Sequence, residues 1–241
     1  MAKALDSYCD LLLVGDSVAM VVYGMDTTQS ADLDMMVRHG HAVMRRRQSA
    51  LVVIDLPTGS YENSPKQALA SANEIISQTG VDAVKLEGGT GLNPHVKCIV
   101  ESGIPVLGHI GLLPQRAVTG KAFCITGRSA DEASQLHADA DALADAGAFG
   151  IIMEGIVEPV AASIAKLSKV LTIGIGASAA CDGQILVTDD LLGLYDAFTP
   201  KFVFKFANLQ DDIGAAATDY HAAVIDGSFP TKDHLFWPKK T

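Results

Sequence analysis

Seven short apolar runs lie along the chain, and each ends at a glycine or a polar residue. Most are almost continuously apolar, without the alternation of a half-buried strand. Such runs are typical of parallel strands that are buried on both faces. The pattern predicts strands at residues 11–15, 51–54, 83–86, 104–107, 150–153, 171–175 and 202–206.

Helix signals lie between these runs. Segment 64–80 has Ser at the N-cap, Pro at the first helical position and Gly after the end. Segment 93–103 opens with Asn-Pro and closes on Gly. Segment 129–147 opens with Ser and Glu three residues apart, which form a capping box, and also closes on Gly. The sequence therefore predicts a helix in each segment.

Strands that alternate with helices, without a linker, predict one α/β domain over residues 1–241 with a parallel sheet. Seven strands suit an open doubly wound sheet, whereas a (β/α)₈ barrel needs eight strands to close. The strand count leaves both folds open.

The composition describes a folded protein without a nucleic-acid partner. The net charge is −10, and the pI is about 5.0, whereas a nucleic-acid binder needs a basic face. Hydrophobic residues make up 49% of the chain and charged residues 19%, enough for a large core. No apolar run approaches the roughly 20 residues that span a bilayer, and the N-terminus resembles no leader, so we expect a cytoplasmic protein without a membrane partner.

The cysteines indicate neither a disulfide framework nor a structural zinc. They are Cys9, Cys98, Cys124 and Cys181. None forms a Cys-x-x-Cys pair, and no His stands at zinc-finger spacing. The prediction is four reduced thiols packed as small hydrophobic side chains.

Polar residues follow the first five predicted strands at their carboxyl ends. They are Asp16 and Ser17, Asp55, Lys85 and Glu87, His109, and Glu154. In a closed barrel these ends surround one mouth, where the active sites of such barrels lie, whereas an open sheet spreads them along a line. Each residue alone also has a structural interpretation, such as a turn-forming Asp or a core His. The whole set favours the barrel.

The residue types at these strand ends suit metal-assisted enolisation. Asp16, Asp55 and Glu87 offer hard oxygen ligands, which Mg²⁺ prefers. A 2-oxo acid bound through two oxygens is polarised by such a metal, and the adjacent C–H becomes acidic. Glu154 is then the candidate base, and Lys85 neutralises the substrate carboxylate. The Gly-x-Gly run at 174–178 permits a phosphate-binding loop or a loop that only needs small residues.

Seven motifs in register resemble the ketopantoate hydroxymethyltransferase family. They are Val-Gly-Asp-Ser (14–17), Asp-Leu-Pro (55–57), Val-Lys-Leu-Glu-Gly-Gly (84–89), Gly-His-Ile-Gly-Leu-Leu-Pro-Gln (108–115), Gly-Ile-Gly-Ala (174–177), Cys-Asp-Gly-Gln-Ile-Leu-Val (181–187) and Pro-Lys-Phe-Val (200–203). The resemblance runs from about residue 3 to residue 235.

The resemblance implies a (β/α)₈ barrel of the phosphoenolpyruvate/pyruvate type and a homo-oligomer, commonly a decamer. It implies transfer of a hydroxymethyl group from 5,10-methylenetetrahydrofolate to 3-methyl-2-oxobutanoate, giving 2-dehydropantoate in pantothenate biosynthesis. The implied roles by position are Mg²⁺ ligands at Asp16, Asp55 and Glu87, oxo-acid contacts at Asp16, Ser17, Asp55 and Lys85, the catalytic base at Glu154, and a supporting role at His109.

The chain departs from the family pattern in two places. The family has a strand before the first helix, which here is expected at residues 2–8, so the first barrel strand is expected to be missing from this chain. An organelle leader lost together with that strand is an alternative that the sequence leaves open. Ser178 stands where many members have Gly, which puts the local loop conformation in question because Ser adopts positive φ at a higher cost.

Two other functions compete with this interpretation. A C–C lyase or mutase of the same barrel superfamily needs a Cys in a mobile loop, and Cys124 lies in such a loop without the Lys-x-Cys-Gly-His context. A catalytically dead, truncated subunit is the other alternative. The full set of strand-end residues argues against it, because a dead copy is free to lose them.

Overall fold

Strand and helix alternate along the computed structural model, which describes residues 1–116, 124–194 and 199–238. Its strands are β1 (Leu11–Val14), β2 (Leu51–Asp55), β3 (Ala83–Glu87), β4 (Val106–Gly111), β5 (Gly150–Glu154), β6 (Leu171–Ile175) and β7 (Gly183–Gln184). Its helices are α1 (Ala2–Leu5), α2 (Val18–Val21), α3 (Leu33–Met44), α4 (Pro65–Thr79), α5 (Asn93–Glu101), α6 (Ala130–Asp145), α7 (Glu158–Leu167), α8 (Thr188–Leu192) and α9 (Leu209–Ile225).

The chain divides into two compact units, Met1–Ile185 and Leu186–Thr241. The first unit holds all seven described strands and the strand-end residues. The second contains α8 and α9. A single domain over residues 1–241 stays a prediction. No helix in the described ranges is long and apolar enough to cross a membrane.

All seven described strands are parallel, and each pairs with the next in the order β1 to β7. The sheet is curled rather than flat. Asp16, just after β1, accepts a hydrogen bond of 2.8 Å from Gln115, which lies beyond β4. In a flat sheet β1 and β4 are three strand spacings apart, roughly 14 Å. The curl brings the carboxyl ends together as in the wall of a (β/α) barrel.

The predicted strand at residues 202–206 is wrong. This segment is a turn followed by irregular chain, and the N–H of Phe206 donates to the carbonyl of Leu191 instead of to a sheet. The rings of Phe204 and Phe206 pack edge to face and stay largely exposed, so the apolar run does not reach a core. The seventh described strand is β7, which pairs with Ile173 and Gly174. A search for apolar runs misses it because a Gly-Gln pair is joined to the sheet only through its backbone.

The fourth predicted strand, at 104–107, is displaced along the chain. β4 begins two residues later and continues to Gly111, so His109 lies inside the strand rather than at its end. The other five predicted strands match the structure to within one residue at each end.

The predicted helices form where their end signals stand. Ser64 caps α4 by accepting from the N–H of Gln67, and Gly80 ends that helix with a φ of 70°. The Ser and Glu that open α6 form both bonds of a capping box. At α5 the cap differs, because Asn93 is the first helical residue and its side chain donates to the carbonyl of Ala142.

Strand alternation divides the core into two layers. One face of the sheet packs against the helices through fully buried residues such as Val52, Ile54, Val84 and Leu86. The opposite face carries a smaller cluster formed by Val53, Ala83, Leu107 and Ile152. Because side chains alternate along a strand, the later residues on that same face lie just beyond the smaller cluster, toward the carboxyl ends.

The cysteine prediction is confirmed in part. None of the four cysteines, all within the described ranges, forms a disulfide. Cys181 packs against the main core as predicted. Cys124 is exposed, which contradicts its prediction as a buried small side chain, because it lies in the connection between β4 and α6 rather than in either layer.

Candidate active site

Lys85 lies at the centre of a buried polar cluster. It follows Ala83 by two residues, so alternation places it on the inner face of β3, opposite Asp55 in the strand register. Its Nζ lies 2.9 Å from Oδ1 of Asp55, 3.9 Å from Oε1 of Glu87 and 3.3 Å from Nδ1 of His109. All four side chains are at least 96% buried. The inner face thus changes from apolar to ionic within one strand.

Asp16 joins this cluster from the chain that follows β1. Its backbone N–H donates to Oδ2 of Asp55 at 3.0 Å, and its Oδ2 accepts from the side chain of Gln115 at 2.8 Å. Among the described residues, Asp16 forms no ion pair. Ser17 is half buried beside it at the start of α2, and its hydroxyl makes no capping bond.

His109 connects the cluster to Glu154. The register places His109 opposite Glu87 and Ile152 on the neighbouring strands. Its Nδ1 lies 3.5 Å from Oε1 of Glu87, and its Nε2 lies 3.3 Å from Oε2 of Glu154. The Glu154 side chain is 19% exposed, against 1–4% for Asp55, Lys85, Glu87 and His109. Of these five side chains, Glu154 is therefore the one that solvent reaches.

Burial and the neighbouring charges shift the pKa values of the carboxyl groups in the cluster. Burial, followed by the charge of Asp55, raises the pKa of Asp16 to about 7. Burial also raises the pKa of Asp55, although its ion pair with Lys85 opposes that change. Glu87 behaves differently, because its contacts with His109 and Lys85 outweigh burial and lower its pKa.

The two cationic groups respond to the same carboxylates. Burial opposes the charge on Lys85, but the carboxylates, Asp55 first, raise its pKa above the ordinary lysine value. Burial and the neighbouring Lys85 disfavour charge on His109, and Glu154 and Glu87 outweigh both and raise the pKa of His109 to about 9. Charge complementarity therefore holds the cluster together.

Two residues of this network carry no role in the sequence prediction. Gln115 bonds to Asp16 and Glu87, and Tyr61 donates to Oε1 of Gln115 at 2.6 Å. Both are at least 96% buried. Gln115 ends the motif at 108–115, so its position was visible in the sequence. Tyr61, in the loop after β2, gives no comparable signal.

The structure brings together the strand-end residues that the sequence selects: Asp16, Asp55, Lys85, Glu87, His109 and Glu154. Ser17 lies beside the group because it directly follows Asp16 in the chain. Each residue's role stays a prediction. Across the described ranges, no three His, Cys, Asp or Glu side chains already form a metal-binding group.

The donor set nevertheless suits a hard cation. Three of the buried carboxylates are those predicted as ligands, and Oδ1 of Asp55 has no aligned hydrogen-bond donor, although the Lys85 ammonium is close. Asp16 carries a buried carboxylate without an ion pair of its own, and its raised pKa reflects that uncompensated charge. Added positive charge beside Asp16 and Asp55 would stabilise both.

The run at 174–178 has a packing role. Gly174 pairs with Gln184, and a Cβ there would lie 2.9 Å from Oε1 of Gln184, so a larger residue would displace the end of that side chain. Ser178 is buried, and its hydroxyl donates to Oε1 of Glu158 at 3.1 Å. No described non-glycine residue has positive φ, so Ser178 does not strain the loop.

Comparison with known proteins identifies the family. The model of the family described as ketopantoate hydroxymethyltransferase matches residues 1–232. The 3-methyl-2-oxobutanoate hydroxymethyltransferase of Brucella canis is 49% identical over 239 residues, covering 99% of this chain and 87% of that protein. The protein of the same name from Sinorhizobium medicae is 50% identical over 240 residues, covering 100% of this chain and 88% of that protein.

A solved structure shows the same fold. The 2,3-dimethylmalate lyase, described as a member of the PEP mutase/isocitrate lyase superfamily, has a TM-score of 0.59 over 97% of this chain and 82% of that chain. Its sequence identity is 16%, so the likeness concerns the fold alone. With the family match across almost the whole chain, the motifs are explained: this chain belongs to the ketopantoate hydroxymethyltransferase family.

Proposed function

We propose that this chain transfers a hydroxymethyl group from 5,10-methylenetetrahydrofolate to 3-methyl-2-oxobutanoate, giving 2-dehydropantoate. The observation that carries the proposal is the buried cluster, in which Lys85 contacts the carboxylate of Asp55 while His109 connects to Glu154. A lysine that can pair with the carboxylate of an oxo acid thus lies in the same cluster as a base that solvent reaches. The named activity of relatives at 49–50% identity supports the same reaction.

We propose Mg²⁺ as the metal, held by Asp16, Asp55 and Glu87. The surplus of buried carboxylates and their hard oxygen atoms support this choice. When bound, the metal supplies Lewis-acid polarisation of the substrate carbonyl.

The chain's own residues then bind the substrate and move its proton. Asp16, Ser17, Asp55 and Lys85 contact the oxo acid, and the Lys85 ammonium neutralises its carboxylate. Glu154 removes the proton from C3, since it combines a carboxylate with access from solvent. His109, whose Nε2 lies 3.3 Å from Oε2 of Glu154, attracts the Glu154 carboxylate by its charge.

The bond changes balance with water as a co-reactant. The electron pair released at C3 forms the new C–C bond to the one-carbon unit of the folate. Both C–N bonds of that unit to the folate break, water supplies the hydroxyl oxygen, and the proton from C3 and the remaining proton of water complete the two nitrogens of the released tetrahydrofolate. The folate donor and a homo-oligomer, a decamer in the family, are proposed from the resemblance.

The first test is exchange of the C3 hydrogen of 3-methyl-2-oxobutanoate with deuterium, followed by NMR without folate. We expect exchange with Mg²⁺ that stops when EDTA is added, because enolisation needs the metal and Glu154 but no one-carbon donor. Absence of exchange in a folded chain that binds Mg²⁺ would overturn the proposal.

The Asp55→Asn variant tests the assigned site. It keeps an oxygen that accepts from Asp16 but loses the negative charge, so exchange should be abolished while the circular dichroism spectrum is unchanged. Asp34→Asn is the control, because Asp34 is 77% exposed on α3. Exchange at the wild-type rate in Asp55→Asn would contradict the metal and substrate assignments.

A further inference from the structure

Gln115 connects three separate segments of the cluster. One hydrogen of its side-chain amide points to Oδ2 of Asp16 at 2.8 Å, and the amide also donates to the carbonyl of Leu56 at 2.9 Å. Its backbone N–H donates to Oε2 of Glu87 at 3.0 Å. Leu56 directly follows Asp55, so one residue contacts the chain at each of the three predicted metal ligands.

Tyr61 fixes which way the Gln115 amide faces. The Tyr61 hydroxyl has two acceptors in reach, Oε1 of Gln115 at 2.6 Å and the carbonyl of Glu87 at 3.2 Å, and its one hydrogen goes to the nearer, Oε1. The hydroxyl oxygen accepts from the N–H of Glu87 at 3.3 Å. With Oε1 held by a donor, the NH₂ group must face the Asp16 carboxylate and the Leu56 carbonyl. The reverse orientation would place Oε1 against two acceptors. The bonds therefore run in one direction, from Glu87 through Tyr61 and Gln115 to Asp16.

The backbone of Gln115 is held as well. Its carbonyl accepts from the side chain of Gln29 at 3.0 Å. Because Gln115 is 4% exposed and Tyr61 1% exposed, water does not compete for the bonds that join these two side chains to Asp16, Leu56 and Glu87. An unmet amide or hydroxyl at this depth would be costly, so the network has little freedom to rearrange.

We infer that Gln115, oriented by Tyr61, is a positioning residue that holds the Asp16 carboxylate in the orientation needed for a metal and an oxo acid. The inference rests on the proposed function and extends it to two residues outside the predicted site. Partners that orient a ligating carboxylate affect metal affinity or activity by about 10–100-fold when removed.

The test compares Gln115→Met, Tyr61→Phe and the double variant. Met keeps the length of the side chain and the backbone N–H bond to Glu87, so it removes only the bonds to Asp16, Leu56 and Tyr61. Thr79→Val is the matched control, because it also removes a buried hydrogen bond of 2.6 Å. That bond joins the Thr79 hydroxyl to the carbonyl of Ile75 within α4. Each variant is assayed for deuterium exchange, Mn²⁺ binding by calorimetry, and melting temperature.

We expect Gln115→Met to lower the kcat of exchange about 10–100-fold and to weaken Mn²⁺ binding about tenfold. Tyr61→Phe should give a smaller loss. Because Tyr61 acts on Asp16 through Gln115 and keeps only its direct bond to the Glu87 backbone in Gln115→Met, the loss in the double variant should stay well below the product of the two single losses. The control should lower the melting temperature comparably while kcat, KM and Mn²⁺ binding stay as in the wild type.

Three results would overturn the inference: wild-type exchange in Gln115→Met, a loss no larger than the unfolded fraction explains, or independent losses that multiply in the double variant. A wild-type chain without exchange overturns the proposed function instead. In that case Mn²⁺ binding alone tests the positioning role of Gln115. Equal Mn²⁺ affinity in the wild type and Gln115→Met overturns that role, and weaker affinity in the variant supports it. A wild-type chain that binds no Mn²⁺ overturns both.

Discussion

Lys85 shows how one residue can organise a site through alternation and burial. Its neighbours Val84 and Leu86 face the helices and are fully buried, so the backbone position is set by apolar packing. That packing turns the Lys85 side chain inward, where carboxylates surround it. The ammonium that compensates these carboxylates is thus the same group that we propose as the partner of the substrate carboxylate.

Lys85→Met should strongly destabilise the fold. It leaves Asp55 and Glu87 buried without their shared cation, and removing one partner of a buried ion pair costs about 3–5 kcal/mol. Urea unfolding measures the change. Lys97→Met is the control, since Lys97 pairs with Glu101 on the surface and such a pair contributes about 0–1 kcal/mol. Equal losses of unfolding free energy in the two variants would show that the buried ion pair stabilises the fold no more than the surface pair does.

At the scale of elements, the glycine that ends β4 allows β4 and β5 to lie close together. Gly111 has a φ of 98° and lies opposite Glu154 at the end of β5. A Cβ at Gly111 would stand 2.2 Å from the carbonyl oxygen of Glu154. The close approach holds the candidate base in place, and only glycine permits it.

Gly111→Ala should therefore cost more than Gly103→Ala. Both glycines have positive φ, and a side chain in that region costs about 1–2 kcal/mol. At Gly103 nothing lies within 4 Å of the added carbon. At Gly111 the contact with Glu154 adds about 1–3 kcal/mol of overpacking. Urea unfolding of the two variants gives the difference, and equal costs would refute the steric argument.

Across the whole molecule, the features that could be predicted from the sequence are those that leave a pattern of side chains along the chain. Buried parallel strands leave apolar runs, and helix ends leave capping residues, so both were found. The interpretation of residues 202–206 failed because an apolar run does not show whether it reaches a core. β7 was missed because Gly183 and Gln184 join the sheet only by backbone bonds. Tyr61 was missed because its role depends on a contact 54 residues away in the chain.

The homo-oligomer predicted from the family is a property of the whole molecule. Helix α9 buries none of its residues, and Ile225 is 75% exposed. Trp237, beyond that helix, is 68% exposed. Large exposed apolar areas are rare on monomers and typical of association surfaces. A second copy of this chain is the occupant that the family resemblance implies.

Sedimentation should therefore give a mass that is a multiple of 25.3 kDa. Ile225→Asp should shift the distribution toward smaller species, because a charge at a surface that becomes buried on association must be desolvated. In a lone subunit the same change would be nearly neutral, within about 0.5 kcal/mol, because the position is already exposed. Gln210→Asp introduces the same charge at an exposed polar position of α9 and should leave the mass unchanged. A wild-type chain that sediments at the mass of one subunit would contradict the prediction, whereas equal dissociation by both variants would show that added charge alone, rather than loss of the apolar contact, separates the copies.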